Sequence, residues 1–269
     1  MLPQDDNREW HLWIDEIPRP GWANMAIDQT LLDRTEELGE GWLRLYRWEP
    51  HCLSFGRHEP AARRYDAGRI ATMGLDTVRR PTGGRAVWHA HELTYAVAAT
   101  SFRFGSLQQA YLEIHGMIAG ALAELGIDAV LAPSRRSVPL DAGACFSQPA
   151  GGEVLVSGRK VVGSAQFRQG GALLQHGSIL LADGQRIIRE IMAGAPGDDS
   201  SGGRHEMAGG ESPLLGRWLT LTEMANGVAE AAADRWQGNW NPVTVGDEVI
   251  EAATLHYPRF RSPAWTWAR

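Results

Sequence analysis

From residue 154 the chain reads VLV, Ser157-Gly158, KVVGSAQF, RQGG, ALLQHGSILL: apolar and β-branched runs broken only by short turns that contain glycine. Glycine supplies the left-handed backbone of tight hairpin turns, and branched side chains fit a pleated, half-buried surface. The stretch therefore predicts three strands joined as a meander. LRLYRWE, CLSFG and LTYAVAA, upstream, read as further strands.

Helical spacing surrounds these strands. Over residues 24–38, Met25, Ile27, Leu31 and Leu32 recur behind Asn24, which predicts a helix opening near an Asn cap. Ser106 with Gln109 forms a capping-box pattern, and Leu107, Tyr111, Ile114, Ile118, Leu122 and Leu125 then recur at threes and fours until Gly126. Past Asp183 the pattern predicts helices over 184–192, after a Thr220/Glu223 capping box, and over 248–257 before Pro258. Residues 194–210 are rich in glycine and read as a loop. Helices before, among and after a run of strands predict an α+β fold, with helices packed on a mainly antiparallel or mixed sheet. No repeat or linker divides residues 1–269, so a single domain is expected.

The chain has 269 residues, 43% hydrophobic composition and a net charge of −6, enough for a substantial core and not the charge of a nucleic-acid binder. No apolar run reaches the ~18 residues of a membrane span, and MLPQDDNREW is too acidic for a secretory signal; a cytoplasmic protein is expected. Two cysteines, Cys52 and Cys145, make neither a disulfide framework nor a metal-type pair.

Three clusters can carry chemistry. In VRRPTGGRAVWHAHELTYAV, Gly83 and Gly84 let backbone N–H groups approach a ligand while Arg79 and Arg80 bring positive charge, which suits an anion or a polarised carbonyl; a turn with surface arginines is the alternative. His89 and His91, two apart, would share one face of a strand as a metal pair would, but no third ligand is placed, and buried hydrogen-bonded histidines are commoner. In SGRKVVGSAQF, Lys160 is either an edge charge or an inward amine able to hold an oxyanion and exchange a proton. Cys52 sits in a strand and reads as a small core residue. Cys145, in the loop DAGACFSQPAGG, is a candidate nucleophile if positive charge from Lys160 or the arginines lies close.

The motifs RRPTGGRAVWHAHELTYAV and GRKVVGSAQFRQGGALLQHGSILL resemble the two signature blocks of the lipoate-protein ligase A family. NMAIDQTLL and LRLYRWEPHCLSFGRHEP match its opening helix and strand. The resemblance covers about residues 20–260 and implies the catalytic-domain fold shared by biotin and lipoate ligases. HELTY, the ACF cysteine ahead of GRK, and QHGSIL are most similar to the cysteine-dependent octanoyltransferases of that family. What this implies is transfer of octanoate from octanoyl-acyl carrier protein to a lysine of a lipoyl-domain protein, such as glycine cleavage H protein. Cys145 would form the acyl-enzyme and Lys160 would stabilise the oxyanion and move the proton. Arg79, Arg80, Gly83, Gly84, His89, Gly163, Ser164, Ala165, His176 and Gly177 would hold the substrate, and no metal, cofactor, membrane or nucleic acid would be needed. Arg79, Arg80, Arg135, Arg136 and Arg159 would form a basic patch for the acidic carrier protein.

Two departures from the family pattern are the PAGGE sequence of residues 149–153 and the length of the 194–210 loop. Three other readings stay open: an ATP-dependent ligase forming lipoyl-adenylate, an amidotransferase between lipoyl-domain proteins, and a non-catalytic binding module. Cys145, and the expectation of no accessory C-terminal domain, weigh against the first.

Overall fold

Strand β6 (Glu92–Thr100) is buried on both faces from Glu92 to Ala99, and its run of alanines at 96, 98 and 99 lets layers approach closely from either side. A computed structural model describes residues 9–133, 151–194, 213–244 and 246–268. In chain order the other strands are β1 (Glu9–Ile14), β2 (Gly41–Tyr46), β3 (Cys52–Phe55), β4 (Asp76–Arg79), β5 (Val87–His89), β7 (Ala129–Leu131), β8 (Val154–Val156), β9 (Arg159–Lys160), β10 (Val162–Gln169), β11 (Ala172–Leu180) and β12 (Asn239–Pro242). The main sheet runs β10-β11-β6-β2-β1-β12. Its β10, β11, β6 and β2 are antiparallel neighbours, whereas β1 pairs in parallel with both β2 and β12. The expected α+β fold is present, with a mixed sheet.

The expected meander is divided. Ser157 and Gly158, at φ 49° and 75°, make the tight turn between β8 and β9, but these strands belong with β7 to a separate three-stranded sheet. The chain changes sheets at Val161, and the β10–β11 hairpin, turning at Gly170-Gly171, joins the main sheet instead. A third sheet, β4-β3-β5, lies over the face that carries the site.

Helix α1 (Gly21–Leu38) begins three residues before Asn24, behind Pro20. Asn24 is no cap: its amide donates to the carbonyls of Arg19 and Arg47 inside the structure. Helix α2 (Leu107–Glu124) has the Ser106/Gln109 capping box and stops before Gly126 at φ 76°. Helix α3 (Leu221–Arg235) carries the Thr220/Glu223 box as expected. The 184–192 helix shrinks to one turn, Ile187–Glu190. The 248–257 helix runs Asp247–Ala253 and passes through a 3-10 turn into Tyr257–Phe260, where Pro258 sits in a first turn that needs no N–H from it. Cys52 is fully buried, and burial pushes its thiol pKa up, as a core residue's should be. No described helix is long and apolar enough to cross a membrane.

The loops that form the site meet without side chains between them. A Cβ on Gly56 would stand 1.8 Å from the Gly84 carbonyl oxygen, a backbone collision that no rotamer relieves. Gly56→Ala is therefore expected to cost about 3 kcal/mol or more, the upper end for overpacking, measured as a lower urea midpoint at constant m.

Candidate functional site

The cavity lies between the main sheet, α1 and the β4-β3-β5 sheet. It is lined by Met25, Tyr46, Trp48, Arg80, Gly84, Val87, His89, Thr94, Gly163, Ser164, Ala165, His176, Gly177 and Ser178, and encloses about 380 Å³ with its open mouth included. Side chains on one face of a strand recur every second residue, which is how His176 and Ser178 of β11 and Thr94 of β6 come together; Ser178 is the register partner of Thr94.

Each polar side chain at this wall is bonded to another protein group. Arg80 gives one guanidinium nitrogen to Ser54 (carbonyl 2.9 Å, hydroxyl 2.6 Å) and the other to the carbonyls of Gly83 and Arg85. Ser54 meets His89 Nε2 at 2.6 Å, and His89 Nδ1 meets Glu92 at 2.6 Å. With Nδ1–H donating to the carboxylate, Nε2 accepts from the Ser54 hydroxyl, which in turn accepts from Arg80. Glu92 also accepts from Thr94 and Ser178, and Trp48 Nε1 donates to Thr94. Trp48 stacks on His89 with centroids 4.0 Å apart.

A second chain runs beneath. His176 Nδ1 meets Asp28 at 2.8 Å and Nε2 meets Thr82 at 2.6 Å, while Tyr46 donates to Asp28 and Arg44 bridges Asp28, Asn24 and Asp15. Burial drives the His176 pKa down despite the Asp28 carboxylate, so the ring is a neutral donor–acceptor link. A wall whose polar atoms are occupied in this way presents mainly carbon to a ligand. It suits an alkyl chain, not the anion that the Arg-Arg-Gly-Gly pattern first suggested.

Lys160 ends β9, in the β7-β8-β9 sheet, two residues before β10 begins. The Ser157-Gly158 turn sets it opposite Leu155, buried, with Nζ 2.5 Å from Glu153; it is not an exposed edge charge. Glu153, the acid of the departing PAGGE sequence, is its ion-pair partner. Next to it, His115 Nδ1 meets the Gly152 carbonyl at 2.7 Å and Nε2 meets Ser164 Oγ at 2.7 Å, with Tyr95 closing the chain at 2.6 Å.

Of the residues named from the sequence, Arg80, Gly84, His89, Gly163, Ser164, Ala165, His176 and Gly177 come together at the cavity. Arg79 does not. Fully buried, it binds the carbonyls of Gly56, Arg57 and Glu59 on one side and those of Trp265, Thr266 and Ala268 on the other, so it ties two segments together. Gly83 contributes its carbonyl to Arg80 and is not a lining residue. Buried Arg79 and Arg80 cannot belong to a docking patch; Arg159 is exposed and paired with Asp183. His89 and His91 do not share a strand, since β5 ends at His89 and β6 begins at Glu92. Cys145, Arg135 and Arg136 lie outside the described residues. Sequence reasoning missed Met25, Tyr46, Trp48, Val87, Thr94 and Ser178. A signal existed for Ser178, two residues from His176 on a strand, and for Thr94, inside the quoted HELTY; none marked Trp48.

His115 yields a pH test. Burial, chiefly, lowers its pKa from 6.5 to about 4, with the Lys160 charge adding to the effect and the Gly152 carbonyl opposing it. Unfolding frees the ring to take a proton below pH 6.5 that the folded state refuses until about 4. Its contribution to stability is thus fully present above pH 6.5 and lost as pH falls toward 4, on the order of 3 kcal/mol over that window. Urea titrations from pH 7 to 4 should show a fall that is clearly shallower in His115→Gln; parallel curves would remove His115 as the source.

A model of the lipoyl protein ligase A/B catalytic domain matches residues 20–208. The chain is 32% identical over 260 residues to octanoyltransferase LipM of Lysinibacillus sphaericus, covering 91% of this chain and 94% of that one. It is 39% identical over 184 residues to the LipM of Carboxydothermus hydrogenoformans, 66% and 68% of the two chains. Among solved structures, lipoate-protein ligase A bound with ATP superposes at TM-score 0.76 with 17% identity, over 96% of this chain and 98% of that one. The archaeal bi-partite lipoate protein ligase of Thermoplasma acidophilum superposes at 0.72 with 19% identity, over 97% and 98%; these two speak to the fold. With its fold, its two signature blocks and these relatives in agreement, the chain belongs to the lipoyl protein ligase A/B catalytic-domain family.

Proposed function

We propose that this protein is an octanoyltransferase of lipoate biosynthesis, moving octanoate from the thioester of octanoyl-acyl carrier protein through Cys145 to a lysine of a lipoyl-domain protein, such as glycine cleavage H protein. The observation that carries the reading is a cavity whose polar groups are tied to one another, with the buried Lys160–Glu153 pair on β9 just before the strand β10 that lines it. Relatives named octanoyltransferase support it at 30–42% identity. Two cysteines without a disulfide framework suit a reducing cytoplasm.

In the first half-reaction the Cys145 sulfur bonds to the thioester carbonyl carbon, and collapse of the tetrahedral adduct expels the pantetheine sulfur, which leaves as a thiol after taking a proton. In the second, the neutral acceptor amine bonds to the same carbon, the Cys145 sulfur departs, and the amide nitrogen gives up its extra proton. In this reading Lys160 holds the oxyanion of both adducts and relays those protons, and its ion-pair partner Glu153 steadies its amine. A thioester is already activated, so no nucleotide enters. Five residues separate Cys145 from Gly151, where the described chain resumes.

Intact mass after mixing with octanoyl-acyl carrier protein, without ATP or magnesium, should show one octanoyl adduct, absent from Cys145→Ala, and the adduct should pass to unmodified H protein. Lys160→Ala should keep the fold and lose roughly 10²–10³ in kcat. Lys160→Arg should recover little, because a guanidinium does not release a proton. A strict need for ATP with free octanoate or lipoate would favour the ligase reading. Acylation from octanoylated H protein, in place of the carrier protein, would favour the amidotransferase.

A further inference from the structure

Two arginines stand near the cavity with no ion pair to a carboxylate among the described residues. The Arg57 guanidinium lies over the Phe167 ring at 4.8 Å, and that of Arg259 lies over Trp265 at 4.0 Å and Phe260 at 5.1 Å. Neither makes a side-chain hydrogen bond or an ion pair among the described residues. Arg79 brings them to one place, because it binds the carbonyl of Arg57 at 3.2 Å and those of Trp265 and Thr266 at 2.9 and 3.1 Å. Burial, and after it the Arg57 charge, weaken the hold of the Arg259 guanidinium on its proton, while Asp33 opposes them. The Asp33 carboxylate is itself engaged by His256, Gln169 and Gln29. Two like charges held close in a chain of net charge −6 are a cost that a bound anion would remove. A guanidinium over an aromatic ring keeps its charge and the N–H fork that a phosphate accepts.

Their place is the rim of the cavity. Phe167 follows Ala165 by two residues on β10, so the two side chains share a face, and Ala165 lines the cavity. Arg57 follows Gly56, whose backbone abuts that of Gly84, another lining residue.

We infer that Arg57 and Arg259 form an anion site that takes the phosphate at the outer end of the pantetheine arm of an acyl carrier protein. The inference rests on the octanoyltransferase reading and adds the group by which the donor is recognised. It also replaces the basic patch expected from the sequence, whose Arg79 and Arg80 are buried.

The test compares two small donors on the full chain, octanoyl-pantetheine and octanoyl-4′-phosphopantetheine, by the rate of adduct formation on Cys145. The phosphorylated donor should be used more efficiently in kcat/KM by roughly ten- to a hundred-fold, the usual effect of hydrogen bonds to a charged group. That preference should fall toward unity in Arg57→Gln and Arg259→Gln, mainly through KM. Equal use of both donors by the wild type overturns the phosphate site and leaves the acyl-transfer reading standing, with no variant needed. A preference that survives in both variants also overturns it. No adduct from either donor overturns the acyl-transfer reading and this site together.

Discussion

Everything around the cavity depends on the buried Arg44–Asp28 contact. Arg44 projects from the middle of β2 with its side chain wholly out of solvent, and it holds Asp28 of α1 and Asp15 at the end of β1. Two carboxylates and one guanidinium removed from water are tolerable only because each remaining oxygen has a partner: Tyr46 and His176 for Asp28, Arg19 for Asp15. The same contacts fix the depth at which α1 docks on the sheet, and so the position of Met25 on the cavity wall. From Asp28 the order passes through His176 to Thr82 and hence to the loop of the first signature block. Electrostatics here sets geometry; the ligand meets the carbon surface that results.

That arrangement gives the two histidines of the motifs a different meaning from the one their residue type suggests. His89 and His176 each have both ring nitrogens engaged by protein groups, and each is closed by a carboxylate on one side and a hydroxyl on the other. They act as braces between sheet and loops. Lys160, proposed to move protons, lies elsewhere, beside a different histidine, His115, whose ring burial keeps neutral.

The antiparallel core was legible because local rules applied: glycine turns at 158 and 170, the capping boxes at Ser106 and Thr220, and the apolar run of β6. Its division into separate sheets was not, since nothing local at Val161 marks a change of partner. Parallel pairing of β1 with β2 and β12 was equally hidden, because register between distant segments is decided by tertiary packing. Helix α1 was misjudged at its start for the opposite reason. Asn24 obeys a strong cap preference in isolation, yet its amide finds better use bonding two carbonyls inside the fold. Most of the motif residues named from the sequence line the cavity, but Arg79 and Arg80 show the limit. Adjacent in sequence, they point to opposite sides of β4's end, where one ties the chain's later residues to its earlier ones and the other braces the Gly-Gly turn.

The pairing of residues 9–12 with 239–242 has a kinetic consequence. The β10–β11 hairpin forms from adjacent segments and its neighbours β6 and β2 precede it in the chain, but the edge of the main sheet closes a loop of more than two hundred residues, a late and entropically expensive event. During synthesis the cavity's strands are therefore complete while β1 still awaits its outer neighbour and Arg79 still lacks half of its carbonyls. A nascent chain at that stage exposes an unpaired strand rich in tryptophan, and it is there, at the outer edge of the sheet and away from the cavity, that premature association with other chains would begin.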